Sequence, residues 1–249
     1  MSHPKHIGIA SVTAEGGAIA YLEIVHASEK MLGENQHPEI SLHSHSFSKF
    51  VDSDYQQAGA WDLLMIESSQ KLKLAGAEFF ICPANTNHVV FERVQDRIYL
   101  PWLHIAEVVA ERARDLGCGR ALLLGTKTLM RSDVYRPFLD AQGVELVLPE
   151  AEEQDELNRI IYDELVRGMV VPSSKAFVER TIERSTREQG SDSVILGCTE
   201  LPMLDVRLNP DVQILDSTRL LARGAVALSV GMTRRECEAL VEAARGKTG

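Results

Sequence analysis

Short apolar runs that alternate with helix-length amphipathic segments constrain this chain more than any other feature. The runs are His6 to Val12 (HIGIASV), Glu39 to His45 (EISLHSH), Glu78 to Cys82 (EFFIC), Arg120 to Thr126 (RALLLGT), Val144 to Pro149 (VELVLP), Ser193 to Cys198 (SVILGC) and Gln213 to Asp216 (QILD). Most are too apolar to leave one face in water, which is the pattern of parallel strands covered on both sides. Helical periodicity fills the gaps, over Ala14 to Leu32, Tyr55 to Ala75, Ile105 to Leu116, Ser132 to Gln142, Glu153 to Arg167, Ser174 to Gln189 and Thr218 to Ser229. The alternation predicts an α/β fold of doubly wound, mainly parallel sheets flanked by helices. With 249 residues and 45% hydrophobic side chains, the chain can fill one large domain or two smaller lobes.

Two stretches repeat one another. GAEFFICPANTNH and GSDSVILGCTELP each run from a small polar lead through an apolar strand into a tight turn holding a threonine, Thr86 in one and Thr199 in the other. The repetition predicts two similar lobes, residues 1–100 with 212–249 forming the first and 101–211 the second. The closing EAARGKTG reads as a helix end followed by a frayed tail.

Charge and cysteine usage exclude several classes. A formal charge of −10 without a basic cluster argues against a nucleic-acid partner, whose phosphates need a cationic face. Cys82, Cys118, Cys198 and Cys237 form neither a CxxC pair nor a dense framework, so they read as reduced thiols of a cytoplasmic protein. The opening MSHPKHIGIASV enters a strand without a leader-like apolar core, and no apolar run reaches membrane-spanning length, so neither export nor a membrane anchor is expected.

Cys198 is the sharpest single candidate. In VILGCTE the thiol leaves a buried strand at the carboxyl edge of a sheet, where following amides can face an anion. Such surroundings are expected to lower the thiol pKa and supply a base or nucleophile; the competing reading is a core cysteine. Cys118 and Cys237 read as core. Asn85 and Thr86 can hold a carboxylate through directed hydrogen bonds, although both residue types also favour ordinary turns. His43 and His45 share a strand face, but two ligands without an acidic or cysteine partner at zinc-like spacing do not make a metal site. His88 and His104 read as structural. The GIASVTAEGG turn matches neither GxGxxG nor a Walker loop, so no nucleotide is expected.

The chain resembles the aspartate/glutamate racemase superfamily over nearly its whole length. The resemblance rests on IGIASVTAEGG, ANTNH in place of the family's Cys-Asn-Thr block, LPWLHI, LLLGTKTLM, GCTELP and ILDSTRL. It implies two α/β lobes related by a pseudo-twofold axis with the active site between them, no cofactor, a small carboxylate or amino-acid substrate, and a homodimer. It further implies proton transfer at the carbon next to a carboxylate, with Cys198 as acid/base. Asn85, Thr86 and Thr199 would hold the carboxylate, and Ser11, Ala84 and Lys175 would complete the substrate-binding set. Glu200 and His88 would orient neighbouring groups. Lys175, Arg167 and Lys127 are the cations in reach of a distal carboxylate by position in the chain, each also readable as a solvated surface charge.

Ala84 departs from the family pattern, because it stands where a second catalytic cysteine is expected. Cys82 lies about 6 to 7 Å deeper along the strand and reads as structural. A lone thiol opposite a small residue also resembles arylmalonate decarboxylase, in which loss of carbon dioxide creates the carbanion. A hydantoin racemase, a maleate isomerase-like enzyme with a cysteine nucleophile, and a carboxylate-binding protein without catalysis are the remaining alternatives.

Overall fold

The computed structural model describes residues 3–51 and 59–245. The chain divides into two compact units, Met1–Ile105 with Thr218–Gly249, and Ala106–Ser217. Within the first, β1 (Ile7–Ser11) is followed by α1 (Ala14–Leu32), β2 (Ile40–Ser44), α2 (Ala60–Leu74), β3 (Phe79–Ile81) and β4 (Trp102–Leu103). The second unit takes up α3 (Ile105–Asp115) after its first residue, then β5 (Arg120–Leu124), α4 (Arg136–Ala141), β6 (Glu145–Val147), α5 (Ala151–Arg159), α6 (Pro172–Arg184), β7 (Ser193–Leu196) and β8 (Gln213–Asp216). The chain then returns to the first unit with α7 (Ser217–Val230) and α8 (Arg234–Arg245).

Each unit contains a four-stranded parallel sheet, ordered β2-β1-β3-β4 in the first and β6-β5-β7-β8 in the second. The central strands β1, β3 and β7 are buried along their whole length, which is why they read as unbroken apolar runs. Edge strand β2 is half exposed and correspondingly more polar. Thr13 caps α1 by accepting from the Gly16 amide at 3.1 Å, and Thr126 caps the short helix Lys127–Met130 by accepting from Leu129 at 3.2 Å. Both caps sit where a strand hands over to a helix, at the sheet edge that carries the candidate residues.

The structure corrects several expected boundaries. Gln213–Asp216 was expected in the first lobe, yet it pairs in register with Ser193–Leu196 as the fourth strand of the second sheet, so the crossing points are 105/106 and 217/218. Strand β4 was missed because two residues behind Pro101 carry too little pattern to read. Of the helix expected over Tyr55 to Ala75, residues 55–58 lie outside the described residues, and α2 begins at Ala60. The expected frayed tail likewise falls outside them at 246–249. Helix α4 starts at Arg136 rather than Ser132, because the Ser132 hydroxyl is spent closing the preceding turn onto the Leu129 carbonyl at 2.7 Å and Pro137 opens the new helix. The helix expected from Glu153 starts earlier, where Glu150 and Glu153 form a capping box, and stops being α-helical at Arg159. Its continuation Ile160–Glu164 slips to π-helical spacing before a 3₁₀ turn over Leu165–Arg167.

Candidate active site

In the first unit the candidate residues collect at the carboxyl edge of the sheet. Strand β3 ends at Ile81, Ala84 stays extended, and a 3₁₀ helix runs over Asn85–Val90, opened by the Asn87 amide donating to the Ala84 carbonyl at 3.1 Å. Asn85 is buried, whereas Ala84 and Thr86 are half-buried, so the turn presents a methyl group and a hydroxyl beside 3₁₀ amides. Cys82 is fully buried; burial pushes its thiol up to about 12, and its Sγ lies 3.8 Å from the Ala84 carbonyl.

Ser11 ends β1 at the same edge, since Ile9 pairs with Ile81. Its hydroxyl is already committed: Oγ donates to the Thr13 carbonyl at 2.6 Å, and helix α1 passes directly over it. Only glycine permits that passage, because a Cβ at Gly17 would sit 2.3 Å from Ser11 Oγ. The structure therefore places Ser11 in the strand-to-helix turn.

The second unit builds the reactive end. Strand β7 runs into Gly197, whose amide donates to the Leu124 carbonyl at 2.7 Å; a Cβ there would meet that oxygen at 2.8 Å. This close approach of β5 and β7 sets the Cys198-Thr199-Glu200 turn at the sheet edge, with all three residues buried, ahead of a 3₁₀ turn over Leu201–Leu204. Cys198 Sγ donates to Glu200 Oε2 at 2.9 Å, and Thr199 Oγ1 donates to the same oxygen at 2.6 Å. Oxygen Oε1 of Glu200 is buried without a partner among the described residues.

This arrangement overturns the expectation of a lowered thiol pKa. Burial pushes the Cys198 thiol well up, and the charge and hydrogen bond of Glu200 push it further; the Glu200 and Leu201 amides act in the opposite direction and are outweighed. Cys198 is held as a thiol leaning on a carboxylate. Tyr162, in the π-helical turn, is 40% exposed, and partial burial of its phenol with the nearby charge of Glu200 raises its pKa. Nothing in the sequence pointed to Tyr162, because a slip in helix spacing leaves no residue signature. Glu200, by contrast, stands two residues from the thiol within GCTE.

The cations take other places. Lys175 Nζ donates to the Asp205 carbonyl and lies 3.9 Å from Glu179, tying α6 to the segment behind the Cys198 turn. Lys127 pairs with Asp155, and Arg167 is exposed. His43 and His45 meet edge to face at 4.6 Å and bond Ser68 and the Leu64 carbonyl. Among the described residues no group of three His, Cys, Asp or Glu side chains is placed to hold a metal ion. Nor is any described helix long and apolar enough to cross a membrane.

Comparison with known proteins adds the family to this geometry. The sequence model of the Asp/Glu/Hydantoin racemase family matches residues 9–225. The chain belongs to that family. An aspartate racemase homologue from Pyrococcus horikoshii OT3 is 36% identical, with a TM-score of 0.77 over 91% of this chain and 99% of that one. The broad specificity amino-acid racemase RacX of Bacillus subtilis (strain 168) is 26% identical over 167 residues, 66% of this chain and 70% of RacX. A glutamate racemase of Streptococcus sanguinis (strain SK36) is 26% identical over 172 residues, which are 65% of this chain and 59% of that enzyme. Membership of this racemase family supports a racemase-type enzyme acting on a small carboxylate.

Proposed function

We propose that the chain is a cofactor-independent isomerase that moves a proton at the carbon α to a carboxylate, with Cys198 as acid/base and aspartate and glutamate as the first candidate substrates. One observation carries the reading: a buried thiol donating to a carboxylate that Thr199 also engages, at the edge of a parallel sheet. An amino-acid α-hydrogen is a very weak acid, so a base that removes it must be strong and the developing charge must be held. Burial raises the basicity of the Cys198 thiolate once formed, and Glu200 is the group beside it able to take the thiol proton. The proton passes from Sγ to Glu200 Oε2, the thiolate takes the α-hydrogen, the C–H electron pair spreads into the substrate carboxylate, and a proton returned to carbon from Sγ on the same face or from water on the other restores the C–H bond. Asn85 and Thr86 hold that carboxylate, Thr199 joins them only if its hydroxyl turns from Glu200 to the substrate, and Ala84 leaves room beside it. Lys175 supports the segment behind the turn. The buried, unpaired state of all four cysteines supports a reducing, cytoplasmic setting, and the family resemblance supports a homodimer.

Ala84 favours a second reading, because it cannot deliver a proton to the opposite face. A decarboxylase of the arylmalonate type would need one protonation only, and Cys198 would supply it. Proton NMR in deuterium oxide with L- and D-aspartate and L- and D-glutamate separates the readings, with Cys198→Ala as control. The proposal expects Cys198-dependent loss of the α-proton signal. No exchange with any of the four, together with release of carbon dioxide from an arylmalonate, would overturn it in favour of the decarboxylase; binding with neither reaction would leave a carboxylate-binding protein.

A further inference from the structure

A side chain that this chemistry does not use holds the turn after β3. His88 is buried in the 3₁₀ helix Asn85–Val90, and its Nε2 lies 3.0 Å from the Cys82 carbonyl oxygen. A carbonyl only accepts, so Nε2 carries the hydrogen. Nδ1 is then the bare lone pair, and it is buried without a partner among the described residues. The ring is fixed by Trp102 and His104, with centroids at 4.9 and 4.4 Å. Residues 83–87 thus form a loop closed at its base by one imidazole.

A histidine needed only for volume would not require this bond. Here the ring directs its one donor at the last carbonyl leaving the strand and leaves its acceptor buried without a partner among the described residues. Burial pushes the ring pKa down to about 4, so the neutral donor persists at ordinary pH. We propose that His88 is a positioning residue of the carboxylate-holding turn, its bond to Cys82 setting the direction in which Asn85 and Thr86 face without touching substrate. The proposal rests on the reading of that turn given under Proposed function.

The test compares His88→Gln, which keeps an amide N–H at similar reach, with His88→Leu in the full chain. Amide hydrogen exchange at Asn85 to Asn87 and the KM and kcat of α-proton exchange on aspartate are the readouts. His88→Leu should speed exchange of those amides about tenfold and raise KM about tenfold with a smaller change in kcat, while β1 amides stay protected; His88→Gln should restore both to within about threefold. Unchanged turn amides in His88→Leu, or a folded His88→Gln that rescues neither readout, would overturn the proposal. If Asn85→Ala and Thr86→Val leave KM unchanged while His88→Leu still loosens the turn, the carboxylate reading fails and the hold of His88 on the turn stands. Imidazole ¹⁵N shifts of the parent protein decide the case if His88→Leu does not fold: Nε2 protonated with Nδ1 bare supports the bond, and the opposite tautomer overturns it.

Discussion

At the scale of single residues, the proposed chemistry turns on the partner of Cys198. A thiol 2.9 Å from a buried carboxylate resists ionisation, and burial adds to the resistance. Replacing Glu200 by Gln removes the negative charge and nearly conserves shape. The Glu200→Gln variant should therefore lower the thiol pKa and speed alkylation by iodoacetamide at pH 8 severalfold. The same variant should lose most α-proton exchange, because the thiol proton then has no carboxylate to move to. A thiol made more reactive and an enzyme made slower is an outcome that a bystander carboxylate does not produce. On the proposed mechanism, Ala84→Cys should raise racemisation relative to exchange, measured by chiral chromatography alongside deuterium uptake, by adding a second proton donor. The placement of Cys198 and of the Asn85-Thr86 turn just beyond strand ends was legible because a strand end followed by small polar residues is itself a positional signal. The direction of the thiol pKa was not, since it depends on where the Glu200 side chain turns after the strand ends.

Among the elements, parallel strands were the most readable parts because burial on both faces forces apolar runs. Helix ends were less so, being set by individual side-chain bonds such as Ser132 to Leu129. The packing of α1, α7 and α8 was invisible in the sequence, although it contains a buried charge network. Arg223 donates through Nε to Glu23 at 2.6 Å and through Nη1 to Glu238 at 3.0 Å, and all three side chains are largely buried. Burial alone would lower the Arg223 pKa, but the two carboxylates outweigh it. Removing the cation leaves two carboxylates facing each other, with Arg219 at 3.8 Å from Glu23 as partial cover. Arg223→Met should cost about 3–5 kcal/mol in urea unfolding, and adding Glu23→Gln with Glu238→Gln should recover most of it. The network is legible only in three dimensions, since Glu23 and Arg223 are 200 residues apart.

Across the whole molecule, the histidines are distributed unevenly. All eight lie between His3 and His104, within the first unit, and the second unit has none. Burial lowers the pKa of His43, His45, His88 and His104; for His104 the neighbouring His88 adds to the effect, and for His88 the bond to Cys82 only partly offsets it. A group whose folded pKa lies below its unfolded value binds fewer protons in the native state. Stability then falls as pH drops below about 6.5, by about 1.4 kcal/mol per pH unit for a fully buried ring such as His88 and by less for the solvent-screened His43 and His45, until the folded pKa is reached. For His88 that window extends down to about pH 4. The depressed carboxylates of the second unit, Glu153 and Glu156 among them, act lower: their contribution is present above about 4.5 and is lost below it. Between pH 6.5 and 4.5 the first unit should therefore weaken while the second holds. Hydrogen exchange followed by mass spectrometry, corrected for the intrinsic pH dependence of exchange, should show β1 and β3 losing protection before β5 and β7 in this window. His88→Gln should blunt the loss in β3, because an amide has no proton to gain. Equal loss in the two sheets would mean that the acid response is set by surface carboxylates shared by both units rather than by neutral imidazoles buried in one.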